Sequence, residues 1–377
     1  MKAKIALLIL TLSSIAQAVN YMGPVGHREA FLANAGGAMT DSPGNVLLNP
    51  AGLGFRHNEQ SSLSVSGNAI ARQSFDVPQY AVDPEEMTVR PLLAAGIYPA
   101  QLGTLAVFFA NPTAFNIYGG SETNESGVAV KSLLRVEYQE LGAGLSYARQ
   151  IHNDLAWGVS AGVSVETQKS FGYFRASQPG VTASTGFNLT EQKSTSLFIT
   201  PGILYKATES WNVGFSMKAT VDISSTANTT RFSTDSSSPT TVEESSTSFD
   251  PHGTNPYEFR LGQEFIFSPR SSLYFDVIYE GSGSSYNANN EKFLTDESWA
   301  GALGYRHGFF GNLDALGGYS YTETSSSYFN SFTAGIAMNQ RSNELIVGGF
   351  YQVSISRESG NAGFNSYGII FSSNVEY

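Results

Sequence analysis

The sequence contains no cysteine, which excludes disulfides, thiolate metal sites, cysteine nucleophiles and a lipid-modified N-terminal cysteine. Charge is also scarce. Asp, Glu, Lys and Arg make up 14% of the 377 residues, well below the roughly 25% of ordinary soluble domains. The charges present lean acidic, 32 against 21 basic, so no surface suited to neutralising phosphates is expected, and with it no nucleic-acid partner. After the first eighteen residues no apolar run approaches the roughly 20 residues a membrane helix needs. Apolar residues, at 41%, are too few for a helical membrane protein, and aromatics, at 12%, are too many for a disordered chain. A chain rich in Gly, Ser, Thr, Tyr and Phe suits β-structure with one wet and one apolar face.

Residues 1–18 read as a secretory signal peptide. Lys2 and Lys4 form a basic start, Ile5 to Ile15 a short apolar run, and Ala16-Gln17-Ala18 a cleavage site. The remainder alternates with period two. Trp211, Val213, Phe215, Met217, Ala219, Val221 and Ile223 are separated by Asn212, Gly214, Ser216, Lys218, Thr220 and Asp222, which is a strand with one apolar and one polar face. Fourteen such strands are expected, near residues 60–72, 91–99, 103–117, 133–150, 155–174, 191–207, 211–224, 256–268, 272–282, 296–307, 312–323, 329–339, 344–356 and 364–377. Tight connections alternate with longer ones at 73–90, 118–132, 175–190, 225–255, 283–295, 324–328 and 357–363. The pattern predicts an all-β fold, a transmembrane antiparallel β-barrel of about 14 strands in a Gram-negative outer membrane, with short periplasmic turns and longer outer loops. Tyr98, Tyr147, Trp157, Tyr205, Trp211, Tyr274, Tyr305 and Tyr319 fall near strand ends, where a barrel carries its aromatic girdles. The last strand alternates through Tyr367, Ile369, Phe371, Val375 and Tyr377, and this ending resembles the signal that outer-membrane assembly machinery reads.

Residues 19–59 do not alternate. Gly, Pro and small residues there suit a compact irregular segment, and the expected role is a plug folded into the lumen ahead of a barrel spanning residues 60–377. The run Asp41, Gly44, Asn45, Val46, Asn49, Pro50, Ala51 resembles the hatch segment of the FadL/TodX-type outer-membrane transporters. That resemblance implies a luminal hatch carrying the Asn49-Pro50-Ala51 motif and a fourteen-stranded barrel. It also implies passage of long-chain fatty acids or aromatic hydrocarbons, which leave sideways through a gap in the wall.

Asn111 and Pro112 interrupt the third strand, between Leu105, Val107, Phe109 and Phe115, Ile117. Proline gives no N–H to a ladder, and the resemblance implies a kink in this strand, so these two residues are the expected lateral gate; the alternative is that Pro112 sits at the rim, where the strand simply ends. In the fourth strand, Val136 and Tyr138 fall out of phase with Leu141, Ala143, Leu145 and Tyr147, which predicts a bulge near Gln139 and Glu140. Gly142 and Gly144 are expected to face the lumen and make room for the plug. The 175–190 connection is short, and 225–255, rich in Ser, Thr, Asp and Glu, reads as a solvated loop. The first outer loop, with Phe75, Val77, Tyr80, Val82 and Met87, is the better candidate for ligand capture.

An enzyme is not expected. His27 and His57 fall in the plug region, His152 and His307 at periplasmic turns and His252 in an acidic outer loop, none beside an evident nucleophile on a strand. No metal or cofactor is implied. Arg135, Glu137, Glu166, Lys218, Asp222, Glu258, Arg260, Glu264, Asp276, Glu280 and Arg306 are expected on the lumen face, where they would pair in a plugged barrel or set selectivity in an open porin. The expected partners are outer-membrane lipid and a hydrophobic small molecule, and the expected state is a monomer. A general porin and an assembly scaffold are the alternatives.

Overall fold

A computed structural model describes residues 23–40, 42–56, 60–77, 80–82, 88–125, 128–178, 181–235, 238–249, 256–286, 292–325, 327–340, 342–357 and 363–377. The expected signal peptide lies outside these residues. Three short helical turns come first, a 3-10 helix Glu29–Leu32, an α-helix α1 Asn45–Leu48 and a 3-10 helix Pro50–Phe55. The strands are β1 (Ser62–Val77), β2 (Tyr80–Val82), β3 (Thr88–Ala100), β4 (Gly103–Ala110), β5 (Ala114–Glu125), β6 (Val128–His152), β7 (Leu155–Gln178), β8 (Val181–Thr208), β9 (Trp211–Asp235) and β10 (Ser238–Phe249). They continue with β11 (Glu258–Ser268), β12 (Ser271–Glu280), β13 (Gly283–Tyr286), β14 (Lys292–Thr295), β15 (Ser298–Gly308), β16 (Leu313–Glu323), β17 (Ser327–Gln340), β18 (Asn343–Ser356) and β19 (Gly363–Glu376).

Antiparallel pairing runs β1, β3, β4, β6, β7, β8, β9, β11, β12, β15, β16, β17, β18, β19 and returns to β1. The sheet is a closed antiparallel barrel, and no helix among the described residues is long and apolar enough to cross a membrane. The sheet is assembled from 17 segments rather than the fourteen continuous strands expected. The third expected strand is split into β4 and β5 by residues 111–113, and β2 and β10 are paired segments within connections expected as loops.

Alternation decides which face meets what. On β4, Leu105, Val107 and Phe109 are exposed while Thr104, Ala106, Phe108 and Ala110 are buried. The exposed apolar face continues round the ring through Leu197 and Ile203, Phe215 and Val221, Leu303, Ile336, Val347 and Ile369. An apolar belt of this extent is unstable in water and matched to hydrocarbon. Tyr98, Trp157, Tyr205, Trp211, Tyr305 and Tyr319 point outward near strand ends, as expected of girdle residues.

Four expectations need correction. Tyr274 is 3% exposed and faces inward with the even-numbered residues of β12, so it is not a girdle residue. Arg135 and Glu137 pair with each other at 2.5 Å on the outer, odd-numbered face of β6, not in the lumen. The proposed bulge in β6 is absent: Val136, Tyr138, Gly142, Ser146 and Ala148 are all buried, one unbroken parity, and the pairing with β7 is in register through this region. What changes near Gln139 is the surroundings of the outer face, which passes from exposed Leu145 to exposed Gln139 and Arg135 as it leaves the apolar belt. Finally, the supposed solvated loop at 225–255 is largely a hairpin of β9 and β10, and 175–190 is mostly strand. Threonine is a good strand former, and cross-strand pairs such as Thr190–Thr229 and Ser194–Ser225 carry these polar hairpins outward.

The N-terminal segment is buried, and its partners come from all round the ring. Asp276 of β12 accepts from the backbone N–H groups of Gly36 (3.1 Å) and Gly37 (2.9 Å). Ser160 of β7 donates to the Val46 carbonyl (2.7 Å) and Ser216 of β9 to that of Leu48 (2.6 Å). Thr333 of β17 accepts from Ala33 N–H (3.0 Å). Close approach is made possible by inward glycines at matching heights. A Cβ at Gly158 would lie 2.6 Å from the Pro50 carbonyl carbon, at Gly202 2.1 Å from Asn49 Oδ1, at Gly214 2.0 Å from the Gly37 oxygen, and at Gly318 2.2 Å from the Leu32 carbonyl carbon. Gly142 and Gly144 do not belong to this set. A Cβ at Gly144 would meet the Phe108 ring at 2.6 Å, and one at Gly142 would meet nothing closer than 3.8 Å.

Replacing Gly214 or Gly318 with valine should dislodge the N-terminal segment while the ring still closes, because overpacking costs about 1–3 kcal/mol or more. Protease cleavage before residue 57 should rise in these variants. Gly301, where a Cβ meets nothing within 4 Å, is the control, and Gly301→Ala should be cut no faster than the parent protein.

Candidate functional site

The wall is irregular on two neighbouring staves. Between β1 and β3 the register slips, with Ser66 opposite Leu93 and Gly67 opposite Pro91, which leaves Leu92 as an extra residue. On the next stave β4 stops at Ala110, and β5 resumes at Ala114. Across from them on β6, Ala110 faces Gly142 and Ala114 faces Gln139, so residues 111–113 oppose only two residues. The bulge expected in β6 is therefore in the strand beside it. Beyond the break β5 pairs with β6, and with β2 only at Ala81 and Gly120; among the described residues no ladder joins it to residues 88–92 of β3. Two bonds bridge the irregularity, Asn111 N–H to the Leu92 carbonyl (2.9 Å) and Glu140 N–H to the Thr113 carbonyl (2.8 Å). The outward apolar residues of β4 run up to Phe109, next to the break.

Asn111 is 2% exposed and Thr113 3%, and neither Asn111 Oδ1 nor Thr113 Oγ1 has a hydrogen-bond partner. Pro91, on the facing strand, was not singled out from the sequence, although a second proline in a strand is a readable signal.

Behind the break lies a cavity of about 330 Å³ between the wall and the N-terminal segment. Val25, Leu47, Phe108, Ala110, Pro112, Tyr138 and Phe198 are its apolar lining, and Phe108 and Phe198 meet at 6.2 Å between ring centres. Glu140, Glu166, Lys218, Asp222, Glu258, Arg260 and Glu280 line it too, with Lys218 Nζ 5.9 Å from the centre of the Phe198 ring. Gly23 touches the same place: a Cβ there would sit 2.6 Å from the Pro112 carbonyl oxygen.

Asn49, Pro50 and Ala51 are fully buried. Pro50 opens its 3-10 helix, where a missing N–H costs nothing. Asn49 caps that helix by accepting from Ala51 N–H (3.2 Å), and its amide donates to the carbonyls of Gly37 (2.7 Å) and Ile203 (3.2 Å). The motif ties two parts of the segment to β8 and lines no part of the cavity. Of the capture candidates, Phe75 pairs with Val82 and Val77 with Tyr80 in a β1–β2 hairpin, while Met87 lies outside the described residues.

His27 has neighbours that the sequence did not foretell. Its Nε2 lies 2.6 Å from Glu344 Oε2, its Nδ1 bonds Ser372 Oγ, and Arg28 Nε reaches Glu344 at 2.9 Å. Serine, imidazole and carboxylate in a chain are the parts of a hydrolytic site. Here Ser372 and His27 are fully buried between segment and wall and do not line the cavity, so the trio acts as a brace. Among the described residues no three His, Asp or Glu side chains converge as metal ligands, and His252 lies outside those residues.

Several solved structures share this closed antiparallel barrel, among them channels and transporters of hydrophobic compounds. The resemblance in the Asn49-Pro50-Ala51 region extends, at the level of fold, over nearly the whole chain. The monoaromatic hydrocarbon channel CymD aligns with a TM-score of 0.69 at 15% identity, over 95% of this chain and 98% of that one. The toluene transporter TbuX of Ralstonia pickettii aligns with 0.68 at 13% identity, over 95% and 99%. A FadL homologue of Pseudomonas aeruginosa aligns with 0.64 at 15% identity, over 95% and 99%. The chain therefore has the fold of the FadL/TodX-type transporters. No protein-family model and no curated protein sequence matches it.

Glu344→Gln should loosen the N-terminal segment, because removing one member of a buried, charge-assisted cluster costs about 3–5 kcal/mol. Hydrogen exchange of residues 25–35 should accelerate by at least about tenfold while exchange in β6 to β9 stays unchanged. Equal protection in both proteins would show that the brace carries no load.

Proposed function

We propose that the protein is an outer-membrane channel that admits hydrophobic compounds from outside and releases them sideways into the bilayer at Asn111 and Pro112. The observation that carries this reading is the coincidence of the wall break with the apolar lining of the cavity. Phe108, Ala110 and Pro112 lie on the stave that breaks, and they also line the cavity. Unpaired backbone is tolerated at the edge of hydrocarbon only where protein or a cavity covers it, and a ladder missing between β5 and residues 88–92 supports a path through the wall rather than along the barrel axis. The fold shared with hydrocarbon channels supports the same class of cargo.

In this reading residues 19–59 are the plug, and the contact between Gly23 and Pro112 is where the start of the plug covers the exit. The hairpin carrying Phe75, Val77, Tyr80 and Val82, with Met87 beyond it, is the capture surface, the Asn49-Pro50-Ala51 turn holds the plug in register, and the protein works as a monomer without metal or cofactor.

Pro112→Val returns an N–H to the stave and should narrow the exit. Cells making the variant at equal surface levels should take up a hydrophobic tracer several-fold more slowly than cells making the parent protein; equal uptake would remove the gate. Deleting residues 19–59 should raise single-channel conductance sharply, whereas unchanged conductance would favour an open porin over a plugged barrel.

A further inference from the structure

The charged lining of the cavity is unbalanced. Five carboxylates line it, Glu140, Glu166, Asp222, Glu258 and Glu280, against the two cations Lys218 and Arg260. Arg260 is already engaged by Asp276 (2.9 Å), Glu258 (3.3 Å) and the Asn34 carbonyl (3.0 Å). That leaves Lys218 as the cation facing the other acids. Ser164 on β7 and Thr200 on β8 line the same cavity at 5% and 3% exposure, and a hydroxyl can accept as well as donate.

We infer that the cavity binds organic cations with an apolar body, an alkyl or aryl ammonium, and disfavours a carboxylate on the same body. The inference rests on the transport reading above and specifies its cargo. The apolar body packs against Phe108 and Phe198, beside the wall break. The ammonium brings three N–H donors and no acceptor, which matches a lining of carboxylates with two hydroxyls among them. A carboxylate must shed water, enter a cavity where acids outnumber bases and compete for one lysine. Ligand entry transfers no group and changes no bond.

The test uses the full-length protein in a non-ionic detergent and three ligands that share one tail, octylammonium, octanol and octanoate, titrated calorimetrically at pH 7 and low salt. Octylammonium should bind about tenfold or more tighter than octanoate, and salt should shrink the gap. The Glu166→Gln/Glu280→Gln double variant should close most of the gap, whereas Lys218→Gln should widen it. Retained heat-modifiable migration confirms that each variant is folded. Octanoate binding as tightly as octylammonium, or a gap that neither variant moves, overturns the charge assignment and leaves hydrophobic transport standing. Binding of none of the three overturns the transport reading as well.

Discussion

Closure of the hydrogen-bonded ring is the constraint from which the rest follows. In hydrocarbon no water can satisfy a free N–H or C=O, so a sheet survives there only when its last strand pairs with its first. The pairing of β19 with β1 from Ser62 and Glu376 to Asp76 and Gly363 supplies that closure. Once the ring is closed, outward positions must be apolar, while inward positions are free to be polar, small or charged. Freedom on the inside brings its own problem. A ring of this size has an interior too wide for side chains to fill, and the backbone of the N-terminal segment finds partners on its inner face. Asp276, Ser160, Ser216 and Thr333 serve that need from four different strands.

Against this regular background the irregularities at Leu92 and at residues 111–113 stand out because they are adjacent. A single bulge is a common way to bend a strand. Two on neighbouring staves, with Pro91 and Pro112 each withholding an N–H, instead leave a stretch of β3 paired, among the described residues, on one side only. The protein limits the cost with two cross-bonds, from Asn111 to Leu92 and from Glu140 to Thr113, and does not restore the ladder.

The alternation of apolar and polar residues carries most of the fold in plain view, since each expected strand range overlaps an observed strand. The sequence misled where one pattern has two causes. In β6 a switch of apolar parity near Gln139 reads as a bulge, yet the backbone is regular and the strand has simply left the apolar belt, so that Val136 and Tyr138 turn greasy residues inward. The Ser- and Thr-rich stretch of β9 and β10 reads as a loop because its composition is polar, although threonine serves a solvated hairpin well. Pairings across long separations were not legible at all. Nothing in the chain places Ser372 and Glu344 beside His27, some 345 and 317 residues away. The inward glycines were partly legible: Gly158, Gly214 and Gly318 each sit at a polar-face position of an alternating strand, where the absent side chain marks a close approach.

The interior charges divide by what they face, and that division separates structure from selectivity. Glu344 meets His27 and Arg28, and Asp276 meets Arg260 and two backbone N–H groups. These acids are compensated by the segment they hold, as buried charges must be if the fold is to bear them. Glu140, Glu166, Asp222 and Glu280 face the cavity instead, where Lys218 is shared among several acids. Charges needed only to hold the segment would sit against it and be matched there. Acids that outnumber the bases around a cavity set a field in it, and the field acts on whatever enters. In the function proposed above, the same barrel would keep a neutralised frame under the segment and an acidic lining beside the wall break, the apolar lining taking a hydrophobic body and the acids sorting its head.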